Sequence, residues 1–416
     1  MNKYYLFALI SAVFLTVNML TAQHKALIIV DQNGSGDFTT LTEAIRSLPM
    51  FNYQRTTIYI KNRIYEEKIR LEQDNITLEG ENRFKTIIQF NQLRSDWVLA
   101  KDSIGPAVIN LHADDIIIKN LTIKNTQPEI GPHAFAIYGA GTRTIILNCD
   151  VFSKGGDTIS LWDYKNGMYY HADCHFRGAV DFVCPRGWCY IKNSEFYEYK
   201  KTTAIWHAGG FQREQKFVIM DSKFDGVTGF KLGRHHYEAQ LYLLNCQFSE
   251  KMSDEPIYRV TYPDDLSRNR PFNWGERYYF YNCHRKSGDF NWFKDNLNTA
   301  EGSPKVEDIT AAWTFDGKWD PEANMGPLIV NYEIKSNEVL LRFSERISVV
   351  GTPQLESKSG SHFQYISGGG SDTIRFKVQN NVRKKDLAGL KIRNSGKLIG
   401  TIASVNERSA DLNINT

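Results

Sequence analysis

Cysteine is scarce in this sequence, and its distribution argues against two kinds of stabilising site. Six cysteines occur in 416 residues, and four of them recur at one position of a repeat described below, which indicates buried thiols and not a disulfide framework. Cys184 and Cys189 lie close together, but no second pair has matching spacing, so we expect no zinc or other metal site. In an oxidising compartment these two thiols could pair or stay free, and the sequence leaves both alternatives open.

The chain as a whole also has no large excess of charge of either sign. Fifty basic and 47 acidic residues give a net charge of +3. No basic stripe interleaved with aromatic residues is present, and no zinc-finger spacing occurs, so we expect no nucleic-acid partner. The three glycines at 368–370 fall within a hairpin pattern, with no helix after them that could hold a phosphate. No cofactor is implied by these patterns.

A long hydrophobic run occurs at the N-terminus. Lys3 precedes the apolar residues Tyr4–Val17, and the run ends in the small-residue site Leu20-Thr21-Ala22. This is the layout of a secretory signal peptide, and the run is too short to span a membrane. We expect cleavage near Ala22 and a mature protein that is secreted or periplasmic, with no membrane span. A buried first strand is the alternative interpretation.

An imperfect internal repeat occupies the middle of the chain. Each unit is a short β-rich run, then Asn or Asp, a small residue, a polar residue, and an aromatic or aliphatic one, as in Asn148–Phe152. A period of 20–28 residues is typical of one coil of a right-handed parallel β-helix, whose coils stack because none buries its apolar face alone. We therefore predict an all-β fold of this type. The small residues of successive units are Cys149, Cys174, Ser194, Ser222 and Cys246.

The pattern changes near Trp319-Asp320-Pro321. Beyond Pro327 the segments alternate like strands, with Gly- and Ser-rich turns between them, which predicts a C-terminal immunoglobulin-like β-sandwich. Near the other end, Phe38–Leu48 has the pattern of an amphipathic helix that could cap the stack of coils. We expect a monomer. The expected divisions are a signal peptide at 1–22, a catalytic β-helix at 23–322, and an accessory β-sandwich at 327–416.

Five sequence blocks occur in a fixed order over roughly residues 28–297. They are Asp31–Phe38 with Ala44-Ile45, Ile58–Lys61 with Ile64–Glu67, Gly156–Ile159, Gly178–Val183, and Leu232-Gly233-Arg234. Together they resemble the sequence blocks of the pectin methylesterase (pectinesterase) family. The resemblance implies a carboxylic-ester hydrolase that removes methyl esters from uronic-acid residues of a pectic polysaccharide or oligosaccharide and releases methanol, without a cofactor.

Three catalytic residues are implied by the same resemblance. Asp181 would be the nucleophile that forms an acyl-enzyme anhydride, and Asp157 the general acid that later acts as general base. Arg234 would hold Asp181 ionised through a forked hydrogen bond. Independently of any family, the two acids lie 24 residues apart, close to one coil, so stacking would place them on neighbouring coils of one face. Taken singly, each acid could equally be a turn or corner residue.

The chain departs from the family pattern where substrate would be held. The family usually has glutamine where this chain has His133 and Gly156, and Pro-Trp where it has His235 and His236. Both glutamines are implicated in oxyanion stabilisation and substrate contact, and the loss of such a donor costs about 3 kcal/mol of transition-state stabilisation. We hypothesise that His133 supplies the missing donor and that His236 replaces the aromatic platform. Ordinary surface or structural histidines are the alternatives.

Other aromatic residues are candidates for stacking on sugar rings. These are Trp162, Trp188, Trp206 and His207, with core packing as the alternative role. Two further functions stay open at this point. The acid pair could cleave a glycosidic bond, as in an inverting polygalacturonase or a lyase, or the chain could bind glycan without catalysis. In each case the expected partner is a uronic-acid glycan.

Overall fold

The computed structural model of the chain consists of short β-strands with few helical turns. The predicted signal peptide at 1–22 and part of the predicted β-sandwich at 327–416 lie outside the residues that the structure describes. In the described part of the chain, no helix combines the length and the apolar character needed to cross a bilayer. The described residues are 25–207, 212–269, 275, 277–322, 329–357, 359–369, 371–378, 382–383, 387, 390–392 and 397–399.

Parallel strands from successive coils line up in three sheets, which confirms the predicted parallel β-helix. Sheet A contains β1 Leu27–Val30, β2 Thr56–Ile60, β5 Ile76–Gly80, β8 Ile117–Lys119, β11 Thr144–Leu147, β14 Met168–Ala172, β17 Trp188–Lys192, β20 Phe217–Met220, β23 Gln240–Leu244 and β26 Arg277–Tyr281. Sheet B contains β3 Arg63–Glu66, β6 Thr86–Phe90, β9 Thr122–Asn125, β12 Asp150–Phe152, β15 His175–Gly178, β18 Glu195–Glu198, β21 Lys223–Gly226, β24 Gln247–Phe248 and β27 His284–Arg285. Sheet C contains β4 Ile69–Leu71, β7 Ala107–Leu111, β10 Phe135–Gly139, β13 Ile159–Leu161, β16 Val183–Pro185, β19 Thr203–His207, β22 Lys231–His235 and β25 Tyr258–Arg259.

Helical segments are short and lie outside the three sheets. The N-terminal helix is shorter than Phe38–Leu48, because Thr40 is its N-cap and Phe38 forms a β-bridge with Val30. The carboxylate of Glu67 accepts hydrogen bonds from the first N–H groups of this helix, which supplies negative charge at its N-terminus. The helices are α1 Leu41–Arg46, α2 Arg94–Leu99 and α3 Ala311–Thr314, and the 3₁₀ turns are Leu266–Arg268, Asn291–Phe293 and Val306–Asp308.

The repeat predicted from the sequence corresponds to the corner between sheets A and B. Its Asn and Asp residues have φ between 46° and 57°, in the left-handed region that these residue types tolerate. Their side chains bond one another from coil to coil: the Asn148 amide donates to Asn120 at 2.9 Å, and that of Asn245 to Asp221 at 2.8 Å. These side-chain bonds link the corners of successive coils.

All six cysteines are buried free thiols. Those of the repeat donate to carbonyls of the preceding coil, as Cys174 does to Ile146 at 3.4 Å. Cys184 belongs to β16 of sheet C and Cys189 to β17 of sheet A, so the turn between them separates the two thiols onto different sheets. The disulfide alternative for this pair was therefore wrong.

The C-terminal residues form an antiparallel sheet, as predicted. A separate apolar cluster, which includes Leu341, Phe363 and Phe376, covers it. The predicted boundary at 322–327 falls largely among residues outside the described ranges, so the division into domains stays a prediction. The strands are β28 Ile329–Lys335, β29 Glu338–Val350, β30 Gln354–Glu356, β31 His362–Ser367, β32 Ser371–Val378, β33 Lys391–Ile392 and β34 Lys397–Ile399.

Candidate active site

Asp157 and Asp181 occupy equivalent places on neighbouring coils of sheet C. Each lies two residues before a strand, and Ile159 of β13 is paired with Val183 of β16. The N–H of Asp157 donates to the carbonyl of Val180 at 3.0 Å, which links the two turns directly. The expectation that stacking brings both acids to one face is met by this register.

The turn that carries Asp181 is conformationally strained. Val180 and Asp181 have φ of 49° and 58°, and a β-branched residue such as valine rarely adopts positive φ. Such strain persists only where surrounding contacts enforce it, and it is common at functional sites. Here the Val180 N–H lies 3.3 Å from Oε1 of Glu198 and 3.2 Å from the Thr202 hydroxyl.

Arg234 holds the Asp181 carboxylate through a fork. Its Nε lies 3.0 Å from both carboxylate oxygens, and its Nη2 lies 2.5 Å from Oδ2. The hydroxyl of Thr203, on the next coil, also donates to Oδ1. Charge-assisted bonds of this kind fix both the charge and the direction of a carboxylate.

Asp157 is in a different electrostatic environment. The pKa of its carboxyl is raised to about 6, chiefly by burial; His133 opposes this shift, the negative charge of Asp181 adds to it, and Arg186 opposes it. The two acids are therefore in unequal environments, since Asp181 has a guanidinium partner and Asp157 holds its proton below about pH 6.

Of the two positions where the family has glutamine, one brings a side chain to the acids. The His133 ring is exposed, and its Nε2 lies 3.8 Å from Oδ1 of Asp157. The N–H of Gly156 donates to the carbonyl of Pro132 at 2.9 Å, so its backbone is engaged by the neighbouring coil. The His133 ring thus lies where a hydrogen-bond donor could reach substrate. Gly156 has no side chain, and its N–H is already bonded to Pro132, so it offers no such donor.

The neighbouring histidines have different surroundings, since His235 is the last residue of β22 and His236 lies beyond the strand. His235 is fully buried, and its ring nitrogens bond the Tyr237 carbonyl and the Tyr278 hydroxyl, so it is not a groove residue. His236 packs edge-on against Trp206 with the ring centroids 5.0 Å apart, and its Nε2 lies 3.1 Å from the Tyr262 hydroxyl.

Two of the four predicted stacking residues are unavailable to substrate. Trp188 lies on sheet A, is buried, and donates from Nε1 to Asp316 at 3.2 Å, while Lys318 covers its ring. His207 is buried and bonds the Gly187 carbonyl at 2.9 Å. Their interpretation as substrate platforms was wrong, because residues that follow the coils in sequence pack over Trp188 on sheet A, and the His207 ring, which starts from sheet C, is buried against Phe217.

The other two tryptophans border the acid pair. Trp162 is 40% exposed, and Trp206 is partly buried two coils further on. Between them lies Arg186. Neither Arg186 nor Thr203 was among the residues predicted from the sequence. Thr203 lies 22 residues after Asp181, so projecting the acid one further coil would have found it. No sequence signal marked Arg186.

Glu198 is a further buried acid that the sequence reasoning missed. Its side chain is fully buried, and its Oε1 accepts from the Lys200 N–H at 2.9 Å as well as from Val180. Burial raises its pKa to about 8, against the lowering effect of these hydrogen bonds. A neutral carboxylic acid therefore supports the turn that carries Asp181 at neutral pH.

A separate cavity of about 530 Å³ opens on sheet B and lacks the acid pair. Charged residues along it pair with one another, as Glu195 does with Lys223 and His175, each at 3.6 Å.

Within the described ranges, no three His, Cys, Asp or Glu side chains are grouped to hold a metal ion. The acid pair on sheet C is therefore the candidate active site.

Comparison of the sequence with known proteins gives a consistent result. The model of the pectinesterase family matches residues 27–211. Pectinesterase 4 of Arabidopsis thaliana is 28% identical over 341 residues, which cover 73% of this chain and 53% of that protein. Putative pectinesterase 11 of the same plant is 34% identical over 162 residues, 38% of this chain and 43% of that protein. The chain thus spans about half the length of the curated relatives it matches.

Comparison of the structure adds the fold. A pectin methylesterase solved in complex with a hexasaccharide aligns with a TM-score of 0.58 at 19% identity, over 71% of this chain and 98% of that one. Pectin methylesterase PemA from Erwinia chrysanthemi aligns with a TM-score of 0.56 at 18% identity, over 72% and 98%. The chain therefore has the parallel β-helix fold of the pectin methylesterases. Its sequence is similar to pectinesterases over residues 27–211.

Proposed function

We propose that this protein is a carboxylic-ester hydrolase that removes methyl esters from uronic-acid residues of a pectic polysaccharide or oligosaccharide. The observation that carries the proposal is the unequal acid pair: Asp181 is fixed by Arg234, and Asp157 on the adjacent coil has a raised pKa of about 6 and holds its proton below that pH. The family match and the names of the similar proteins support the same chemistry.

In the proposed acylation step, an oxygen of Asp181 attacks the ester carbonyl carbon and forms a tetrahedral oxyanion. The intermediate collapses as the bond to the methoxy group breaks, and Asp157 gives its proton to the departing oxygen, so methanol leaves. The product is an anhydride between Asp181 and the uronic acid. Arg234 keeps the attacking carboxylate aimed and charge-compensated before bond formation.

In the deacylation step, Asp157 acts as the base and Asp181 as the leaving group. Asp157, now a carboxylate, takes a proton from water, whose oxygen attacks the substrate carbonyl of the anhydride. The bond to Asp181 breaks, which releases the free uronic acid, regenerates the Asp181 carboxylate, and leaves the proton on Asp157. His133, whose ring lies 3.8 Å from Asp157, is the proposed donor to the oxyanion in both steps.

Product analysis on methyl-esterified pectin tests the proposal. We expect methanol without new reducing ends, and loss of methanol release in Asp181→Ala. Asp225→Ala, which removes a partly exposed carboxylate on sheet B paired with Lys251, serves as the matched control and should retain activity. New reducing ends would indicate a glycoside hydrolase, unsaturated products a lyase, and glycan binding without any product a binding protein; each would refute the esterase.

Export and domain organisation are part of the same proposal. Pectic polymers lie outside the cytoplasm, which agrees with a signal peptide at 1–22 and a secreted or periplasmic mature protein. We further propose that residues 327–416 form an accessory domain beside the catalytic β-helix. Mass spectrometry of the mature N-terminus tests the first point. A chain that ends at residue 322, compared with the full chain on soluble and insoluble pectin, tests the second.

A further inference from the structure

Arg186 is a buried cation held between two indole rings. Its guanidinium carbon lies 3.6 Å from the centre of the Trp162 ring and 4.4 Å from that of Trp206, and the residue is only 4% exposed. The three residues come from three successive coils. Because parallel strands are about 4.8 Å apart, rings on the first and third coils leave a slot that fits a planar guanidinium on the second.

The polar partners of Arg186 are neutral. Nη1 donates to the Cys184 carbonyl at 3.1 Å and lies 3.4 Å from the Ser160 hydroxyl. Of the ion pairs between described residues, none includes Arg186. A buried charge without a directly bonded opposite charge is costly. Asp157 is near enough to interact electrostatically with Arg186 but forms no ion pair with it, and stacking on two rings offsets only part of the cost. A guanidinium kept in this state is suited to a negative charge that arrives with substrate.

The position of Arg186 connects it to the acid pair. Ser160 and Cys184, which it contacts, lie on the strands that directly follow Asp157 and Asp181. The Ser160 hydroxyl also accepts from Nε1 of Trp162 at 2.8 Å, which ties the exposed ring to the same network. Substrate that reaches the acids would therefore pass over this slot.

We propose that Arg186 is an anion-binding residue of the groove that recognises carboxyl oxygens of a uronic-acid chain. The inference rests on the proposed function and adds a specificity element to it. The negative charge can have two sources. One is the oxyanion that forms on the reacting ester, and the other is the free carboxylate of a neighbouring uronic-acid residue. The guanidinium would bind either through the same charge-assisted hydrogen bonds.

Binding and turnover measured on Arg186→Met distinguish the sources. Methionine keeps an unbranched apolar side chain between the rings and removes the charge. Calorimetry in an Asp181→Ala background compares hexagalacturonate with its fully methyl-esterified form, and methanol release from the esterified form is measured with Asp181 intact. Arg285→Met is the matched control, because Arg285 also stacks on a ring, that of Phe290 at 4.5 Å, but lies on sheet B. Thermal unfolding identifies a variant that has lost its fold, and Arg186→Gln, which also removes the charge, then replaces it.

A tenfold or greater loss of affinity for hexagalacturonate alone supports recognition of a free carboxylate. Unchanged affinity for both oligomers with turnover reduced tenfold or more supports the oxyanion. Equal losses for charged and esterified oligomers, or no change in either affinity or turnover, overturn the proposal, since the side chain would then only space the rings. If the parent enzyme releases no methanol, the proposed function fails by itself, and the binding comparison alone decides the role of Arg186.

Discussion

The guanidinium of Arg234 lies within 3.0 Å of both carboxylate oxygens of Asp181, although 53 residues separate the two in sequence. Stacked coils produce this contact. Asp181 precedes β16, and Arg234 lies two strands further along sheet C, on β22. Three hydrogen bonds join the two side chains, so the pair is the first target for mutation.

Arg234→Ala should reduce methanol release by at least about 100-fold. Removing one partner of a buried charge pair costs about 3 kcal/mol or more, and Asp181 would keep only the Thr203 hydroxyl. Arg234→Lys should recover little, because an ammonium group cannot form the fork. Steady-state kinetics together with thermal unfolding separate lost chemistry from lost fold. Turnover within threefold of the parent would show that the ion pair is structural only.

Activity should fall as pH rises through about 6. The pKa of Asp157 is raised to about 6, mainly by burial, so its carboxyl carries the proton needed by methoxide below that pH and loses it above. A pH profile of kcat/KM reports this group in the free enzyme. Asp157→Asn should be weakly active and lack the decline. A parent profile that increases through pH 6 would contradict the role of Asp157 as the initial acid.

Glu198→Gln should fold normally and be more resistant to alkaline pH than the parent. Burial raises the pKa of Glu198 from 4.5 to about 8. Its contribution to stability is therefore fully present below pH 4.5 and is lost as pH rises through 8. The difference in melting temperature between variant and parent should widen in favour of Gln from pH 7 to 9. Glu195→Gln, at a partly exposed site on the same strand, should show no such trend.

His133→Ala should lower kcat far more than it weakens binding, by about 100-fold, because one oxyanion donor contributes about 3 kcal/mol to the transition state. His133→Gln restores an amide donor and should recover part of the loss. Substitution of the exposed His284, which lies on sheet B, is the control. Kinetics over a range of esterified substrate concentrations provide both constants. Unchanged kcat in the alanine variant would remove His133 from the mechanism.

Much of the fold could be predicted because it follows from local periodicity. The recurring Asn or Asp with a small residue after it marks a corner in each coil, as at Asn148 and Cys149, and left-handed backbone there is a property of those residue types. The spacing of Asp157 and Asp181 likewise predicted neighbouring coils. Helix α1 was predicted too long because tertiary pairing drew Phe38 into a bridge with Val30.

The sequence by itself determined the coiled architecture, the C-terminal antiparallel sheet, and the placement of the two acids on neighbouring coils, since each depends on a repeat length or a strand pattern. The pairing of Arg234 with Asp181 was expected only from the family resemblance. Only the tertiary structure decided which side chains face the groove. The coils vary in length from 20 to 28 residues, so the turns differ and spacing in sequence does not fix which residues lie above one another. Neighbouring residues of a strand also point to opposite faces of the sheet. His235 is buried, whereas the next residue, His236, packs against Trp206. In the same way Trp188 is covered, whereas Trp162 is 40% exposed. Arg186 became a candidate only when two rings, from the coils before and after it, were seen to enclose it.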